Sequence, residues 1–185
     1  MRKTAGRAML KLMSLHYHYD TSYLNYVLDH APKAFFKFMK IAPITRYRQV
    51  LPVNALFAAK IAGSLLEDCG PCTQLVSDMA GEGKMPPDQI EAVLTRNTGA
   101  MAADTLLAFR FAESVAARSP DQDRVRDEVR ARWGDAGVIE LAFAMQAGRL
   151  FPMLKAALGY AKTCQKVTVG KHDIAVTKPA VREAA

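Results

Sequence analysis

With 185 residues, half of them hydrophobic and 23% charged, the chain has the size and composition of one globular domain and not of a disordered one. Its formal net charge of +7 lies in residues 1–48, where nine Lys/Arg meet only Asp20 and Asp29; beyond them the charges cancel. The basicity therefore belongs to the N-terminal quarter, and no nucleic-acid reading motif accompanies it.

Two further readings follow from apolar patterning. No uninterrupted apolar run approaches the ~18–20 residues of a spanning helix. The basic start is followed by Met9–Leu15, which Lys11 breaks and which runs into His16-Tyr-His-Tyr-Asp20. No small-residue cleavage site follows an apolar stretch, so the reading expects no export signal and a cytoplasmic, reducing location.

In chain order, residues 7–40 read as two or three helical pieces. Leu10, Met13 and Tyr17 share a helical face, as do Tyr23, Tyr26 and Val27. Pro32 and Pro43 bracket a short basic-aromatic helix, Lys33–Lys40. Residues 44–67 read as one long helix with a small-residue face of Ala55, Ala58, Ala59, Ala62 and Gly63, interrupted by Gly70-Pro71 and resumed over Cys72–Ala80. Pro86-Pro87 suits a helix start; helices are expected over Gln89–Thr98 and Asp104–Ala117. Ser119-Pro-Asp-Gln122 resembles a capping box for a helix ending near Trp133, with Gly134 closing it and Asp135 capping the next. Val138–Met145 and Leu150–Gln165 read as helices separated by Gly148. Val167-Thr-Val-Gly and Ile174-Ala-Val-Thr lean to β and predict a small hairpin or a partner-hugging arm, with frayed residues after Pro179. No repeat or linker divides the chain.

The sharpest chemical signal is Cys69-Gly-Pro-Cys72 at a helix start. Backbone N–H groups of a first turn and the helix dipole stabilise a thiolate, and the two-residue spacing lets the sulfurs close into a disulfide. In a reducing compartment such a pair more often does redox or metal chemistry than serve as a staple. Cys-Gly-Pro-Cys is also the thioredoxin motif, but that fold needs a preceding strand, and Val53–Leu66 has helical period. A closed zinc site needs four Cys/His ligands. Only Cys164, His16, His18, His30 and His172 remain, without paired spacing, so no metal is expected. Both cysteines could instead be small buried residues with no chemistry.

These residues carry a resemblance. Arg46–Leu94 resembles the core of the AhpD-like / carboxymuconolactone decarboxylase superfamily: a small-residue helix, then Leu-Leu-Glu-Asp-Cys-Gly-Pro-Cys, a short helix, a turn and Pro-x-x-Gln-Ile-Glu-Ala-Val-Leu. Trp133–Gln165 resembles the helices that follow. The resemblance implies an all-α, AhpD-like helical bundle forming a homo-oligomer: a basic-aromatic helical extension over 1–43, a core over 44–166 and a tail over 167–185. It implies alkylhydroperoxidase or thiol-disulfide chemistry, with Cys72 attacking peroxide, Cys69 resolving it, and an external thiol or dithiol restoring the pair. The sequence departs from the family's proton relay, a Glu twelve residues before the first cysteine and a His four after the second. Those positions hold Phe57 and Val76. General acid–base help is commonly worth ~10²–10⁴-fold, so the departure leaves two expectations open. One is a thiol peroxidase or disulfide reductase with a solvent-reachable, low-pKa thiol. The other is a non-catalytic oligomeric scaffold with a vestigial pair. A decarboxylase-like activity ranks behind both, because it gives a vicinal thiol pair no purpose.

The remaining candidates read as structural. Glu67 and Asp78 lie near the motif, but a carboxylate raises a thiol pKa. The four histidines read as a helix end or solvated surface groups, and Cys164 as a small buried hydrophobe. Phe35, Phe36 and Met39 are expected to dock on the core or a second subunit in preference to a membrane surface.

Overall fold

The structure is a computed structural model and describes residues 2–163 and 166–178. Cys164, the end of the expected helix Leu150–Gln165 and the tail beyond Lys178 fall outside the described residues. Among the described residues eight α-helices are followed by one hairpin: α1 (Arg2–Tyr17), α2 (Ser22–His30), α3 (Pro32–Phe38), α4 (Val53–Leu66), α5 (Gly70–Glu82), α6 (Pro87–Leu94), α7 (Ala103–Ala117), α8 (Gln122–Ala157), β1 (Lys166–Val169) and β2 (His172–Ala175). The fold is thus mostly helical, as expected. No described helix is long and apolar enough to cross a membrane.

Helix α4 is the axis of the core, packed against α5, α7 and α8. Its small residues are the reason. A Cβ on Gly63 would lie 2.4 Å from the Met145 carbonyl oxygen, and one on Gly148 2.1 Å from that of Lys60. Two glycines on facing helices thus bring the backbones of α4 and α8 together. Ala55, Ala58, Ala59 and Ala62 are fully buried beside them, with Leu65, Ile61 and Leu141 supplying bulk.

Gly148 was expected to separate two helices; instead α8 runs through it to Ala157, because the site needs a missing side chain and not a turn. The break falls at Gly134 (φ 70°), as the sequence predicts. Asp121 precedes α8 without a side-chain capping bond, so the predicted capping box does not form. The expected helix over 44–67 begins only at Val53. Residues 47–52 are held by buried Glu140, whose carboxylate accepts the N–H groups of Gln49 (2.8 Å), Val50 (3.1 Å) and Leu51 (3.1 Å). Helix α6 stops at Leu94, short of the expected Thr98, where Arg96 takes a positive φ.

The hairpin pairs Val167 with Ile174 and Thr168 with Asp173, antiparallel. Val167 and Ile174 are buried in the main core. Gln74 clamps Thr168 through both its amide groups, and the Thr177 N–H donates to the Leu94 carbonyl. The β-leaning run is therefore a docked part of the domain and not a free arm.

The N-terminal helices form a second layer. Leu10, Tyr19, Tyr23, Leu24, Leu28 and Phe35 make an apolar cluster separate from the main core. Phe35 is buried beside Gly6, and Phe38 meets Phe151 edge-on at 5.1 Å, so the basic-aromatic helix docks its aromatic side on this chain. The residues of the inner helices that join this cluster include Cys69 and Cys72.

Candidate functional site

The dithiol is positioned by the turn between α4 and α5. Helix α4 ends in two short-range bonds, Glu67 N–H to Ser64 and Asp68 N–H to Leu65. Asp68 then takes φ 46°, which reverses the chain into the extended Cys69 (φ −107°, ψ 96°). Cys69 is the N-cap of α5, and Pro71 occupies its first turn, where a missing N–H costs nothing. The Gly70 N–H donates to the Lys162 carbonyl (2.9 Å), tying the loop to the chain beyond α8. The Cys69 carbonyl accepts from both the Thr73 N–H (2.9 Å) and its hydroxyl (3.1 Å).

The structure therefore brings together the two cysteines the sequence singled out, as free thiols at a helix N-terminus. Both are also buried: Cys69 is 0% exposed and Cys72 3%. A freely solvent-reachable thiol was expected; instead both sulfurs are buried in the apolar cluster of the N-terminal helices.

The covering layer supplies the polar neighbours. The Tyr19 hydroxyl lies 3.4 Å from the Cys72 sulfur and 3.4 Å from the Tyr23 hydroxyl. Lys155, from α8, is 0% exposed. Its ammonium sits over the rings of Tyr19 (4.7 Å) and Tyr23 (5.4 Å), donates to the Asp20 carbonyl at 3.5 Å and lies 3.9 Å from the Asp20 carboxylate.

These groups divide the two thiols. The Cys72 thiol donates a hydrogen bond to Cys69; against the cost of burial, the Cys72 and Lys162 N–H groups and the Lys155 charge also help. Together they bring Cys69 from 9.0 down to about 7. Cys72 is pushed upward, first by that same hydrogen bond and then by burial. The surroundings therefore favour the proton on Cys72 and negative charge on Cys69. Burial also pushes the Tyr19 and Tyr23 phenols up, so both stay neutral donors.

Sequence reasoning missed Tyr19 and Lys155. A signal exists for the second: Lys155 is the sole charge between Leu150 and Tyr160, and a lysine inside an apolar helical run is buried only with compensation. For Tyr19 there was none, since its partner lies 53 residues away in sequence.

The family's relay positions hold no acid or base. Phe57 packs beneath the Lys60 ammonium (4.8 Å), and Val76 leans on the main core. Glu67 is committed to Arg149 (2.6 Å), and Asp78 accepts from the Gln74 amide (2.8 Å), burial raising its pKa. His16 and Tyr17 both bind Glu82 at the surface, and burial leads the causes that push the Tyr17 phenol up to about 12. His30 stacks on Tyr26 (4.5 Å), and His18 and His172 are exposed. Among the described residues no group of three or more His, Cys, Asp or Glu could hold a metal ion. Outside the dithiol loop, Gly70, Pro71, Gln74, Lys162, Thr163 and Lys166 line an open groove of about 500 Å³. No family model, curated protein or solved structure matches the chain.

Proposed function

We propose that the chain is a thiol-dependent redox enzyme of AhpD-like character, reducing peroxides or disulfides through Cys69 and Cys72 and working as a homo-oligomer. The observation that supports this reading is the placement of two free thiols together at the N-terminus of α5, with the Tyr19 hydroxyl 3.4 Å from the Cys72 sulfur. The surroundings lower the Cys69 pKa to about 7 and raise that of Cys72, so Cys69 ionises first and Cys72 keeps its proton longer. That distribution favours Cys69 as the attacking thiolate, the reverse of the order the family resemblance implies.

With an alkyl hydroperoxide the steps balance as follows. The Cys69 thiolate attacks the terminal peroxide oxygen, the O–O bond breaks, and the departing alkoxide takes the Cys72 proton. Cys69 is then a sulfenic acid and Cys72 a thiolate. The Cys72 sulfur attacks Cys69, forming the disulfide and expelling hydroxide, which water protonates. An external dithiol reduces the disulfide by exchange and leaves oxidised.

Stopped-flow oxidation by cumene hydroperoxide tests this, with Cys69→Ser and Cys72→Ser beside the wild type. The wild type is expected to lose both thiols rapidly. Cys69→Ser is expected to lose the fast phase, and Cys72→Ser to stall as a sulfenic acid. The second reading, a non-catalytic scaffold, is favoured by the burial of both sulfurs and by Phe57 and Val76. Rates no faster than a free thiol in all three proteins would sink the peroxidase reading and leave a disulfide reductase or the scaffold.

A further inference from the structure

Lys155 poses a problem that the reduced dithiol solves. A fully buried ammonium is costly unless an anion or a full set of acceptors compensates it. Here its protein neighbours are two aromatic faces, one carbonyl at 3.5 Å and a carboxylate 3.9 Å away that is also held by Ser22. None is a close ion pair. Tyr19 links the ammonium to the dithiol: its ring takes the ammonium at 4.7 Å and its hydroxyl lies 3.4 Å from the Cys72 sulfur, and the field of Lys155 favours negative charge on both sulfurs.

The same lysine joins the two layers of the molecule. It rises from α8 and contacts Tyr19, Asp20 and Tyr23, which belong to α2 and the turn before it. Tyr19 and Tyr23, with Leu10, Leu24 and Leu28, share one buried apolar cluster with the cysteines and make the α1–α2 cover of the proposal below.

We propose that Lys155 is the buried counter-charge of the reduced dithiol, and that disulfide formation removes its anion and loosens the α1–α2 cover. This rests on the redox reading of the site and adds its regulation. The electron count is simple: the thiolate of Cys69 and the thiol of Cys72 give up two electrons to a hydroperoxide, which becomes an alcohol and hydroxide, and the new S–S bond carries no charge. The ammonium that remains is left with the two rings and the Asp20 contacts. Opening the cover returns it to water, and opens a path for a bulky external dithiol to the disulfide. The closed reduced state admits only small oxidants; the loosened oxidised state admits the reductant.

Hydrogen–deuterium exchange over residues 2–30, read by mass spectrometry, tests the coupling. The full chain is compared reduced and after oxidation by diamide, an azo compound that takes two electrons and two protons whether or not the protein is a peroxidase. Oxidised wild type is expected to exchange at least tenfold faster in α1 and α2 than reduced wild type. Cys69→Ser, which lacks the anion, is expected to show the fast pattern without oxidation. Lys155→Met, which has no charge to strand, is expected to show the same exchange in both redox states. Equal exchange in the two states of the wild type would overturn the proposal, as would a slow, closed Cys69→Ser. If Lys155→Met does not fold, the wild-type and Cys69→Ser comparisons decide alone. Slow peroxide turnover beside redox-dependent exchange would sink the peroxidase reading and leave the coupling standing.

Discussion

Cys69 carries its pKa shift from the unfolded to the folded state, so it makes stability depend on pH. Its pKa falls from 9.0 to about 7 on folding, chiefly through the Cys72 hydrogen bond. Between those values the folded chain binds fewer protons than the unfolded one. Stability therefore rises as pH increases from about 7 to about 9 and is lost as pH falls back toward 7. Cys72 works in the opposite sense: its proton is held more tightly when folded, so stability declines above the ordinary thiol range. Denaturant melts of the reduced protein across this range are expected to peak near pH 9, and Cys69→Ser is expected to flatten the rise. Alkylation in the wild type is expected to reach Cys69 before Cys72, read by peptide mass spectrometry. Equal labelling of the two would show that the charge is not localised. At this scale the sequence was legible where neighbours in the chain do the work. Cys-x-x-Cys at a helix start announces a thiolate because the stabilising N–H groups are local. Tyr19 and Lys155 act across the fold, and no spacing in the sequence encodes that meeting.

Among the elements, α4 and α8 decide where the dithiol loop sits. Gly63 and Gly148 let their backbones touch, α8 then carries Lys155 to the sulfurs, and the chain after α8 binds Gly70. Gly148→Ala forces a methyl against the Lys60 carbonyl and is expected to cost about 1–3 kcal/mol, as overpacked cores do. Urea denaturation measures it; an unchanged midpoint would mean that the helices separate without loss. Helix existence was legible from apolar period for nearly every element, and the break at Gly134 from glycine itself. The misreadings have physical causes. Gly148 looks like punctuation in sequence and is a contact in space. The helix expected from residue 44 is delayed to Val53, because Glu140 binds three successive N–H groups from a partner some 90 residues distant. The β-leaning run was visible as β-branched alternation, but its docking depends on Gln74 and Leu94, which only the fold brings near.

The molecule as a whole is two apolar layers with the dithiol at their seam. The basic charge of the N-terminal quarter lies on the helices whose apolar residues share one cluster with Cys69 and Cys72. Ile44, Tyr47 and Phe143 are exposed on a face where the single helical turn Ile44–Arg46 and α8 meet, with the Tyr47 and Phe143 rings 6.4 Å apart. If the proposed homo-oligomer uses this face, Phe143→Glu is expected to shift light-scattering mass toward the monomer, whereas an unchanged mass would place the contact elsewhere. Fold class, the cysteine pair and its helix were within reach of the sequence; the cover over them was not. Apolar spacing in the sequence puts Tyr23, Tyr26 and Val27 on one face of α2, whereas the buried residues are Tyr23, Leu24 and Leu28 and Tyr26 is exposed, because nothing local says which surface the helix packs on.

The most direct test of the central claim is a redox titration of the intact protein in glutathione buffers, with free thiols trapped and counted by mass. A reversible two-electron transition that joins Cys69 to Cys72, with loss of two hydrogens, is the predicted result. Mixed disulfides with glutathione on single cysteines, or thiols that stay reduced throughout, would contradict it and leave the pair as a structural feature of the seam.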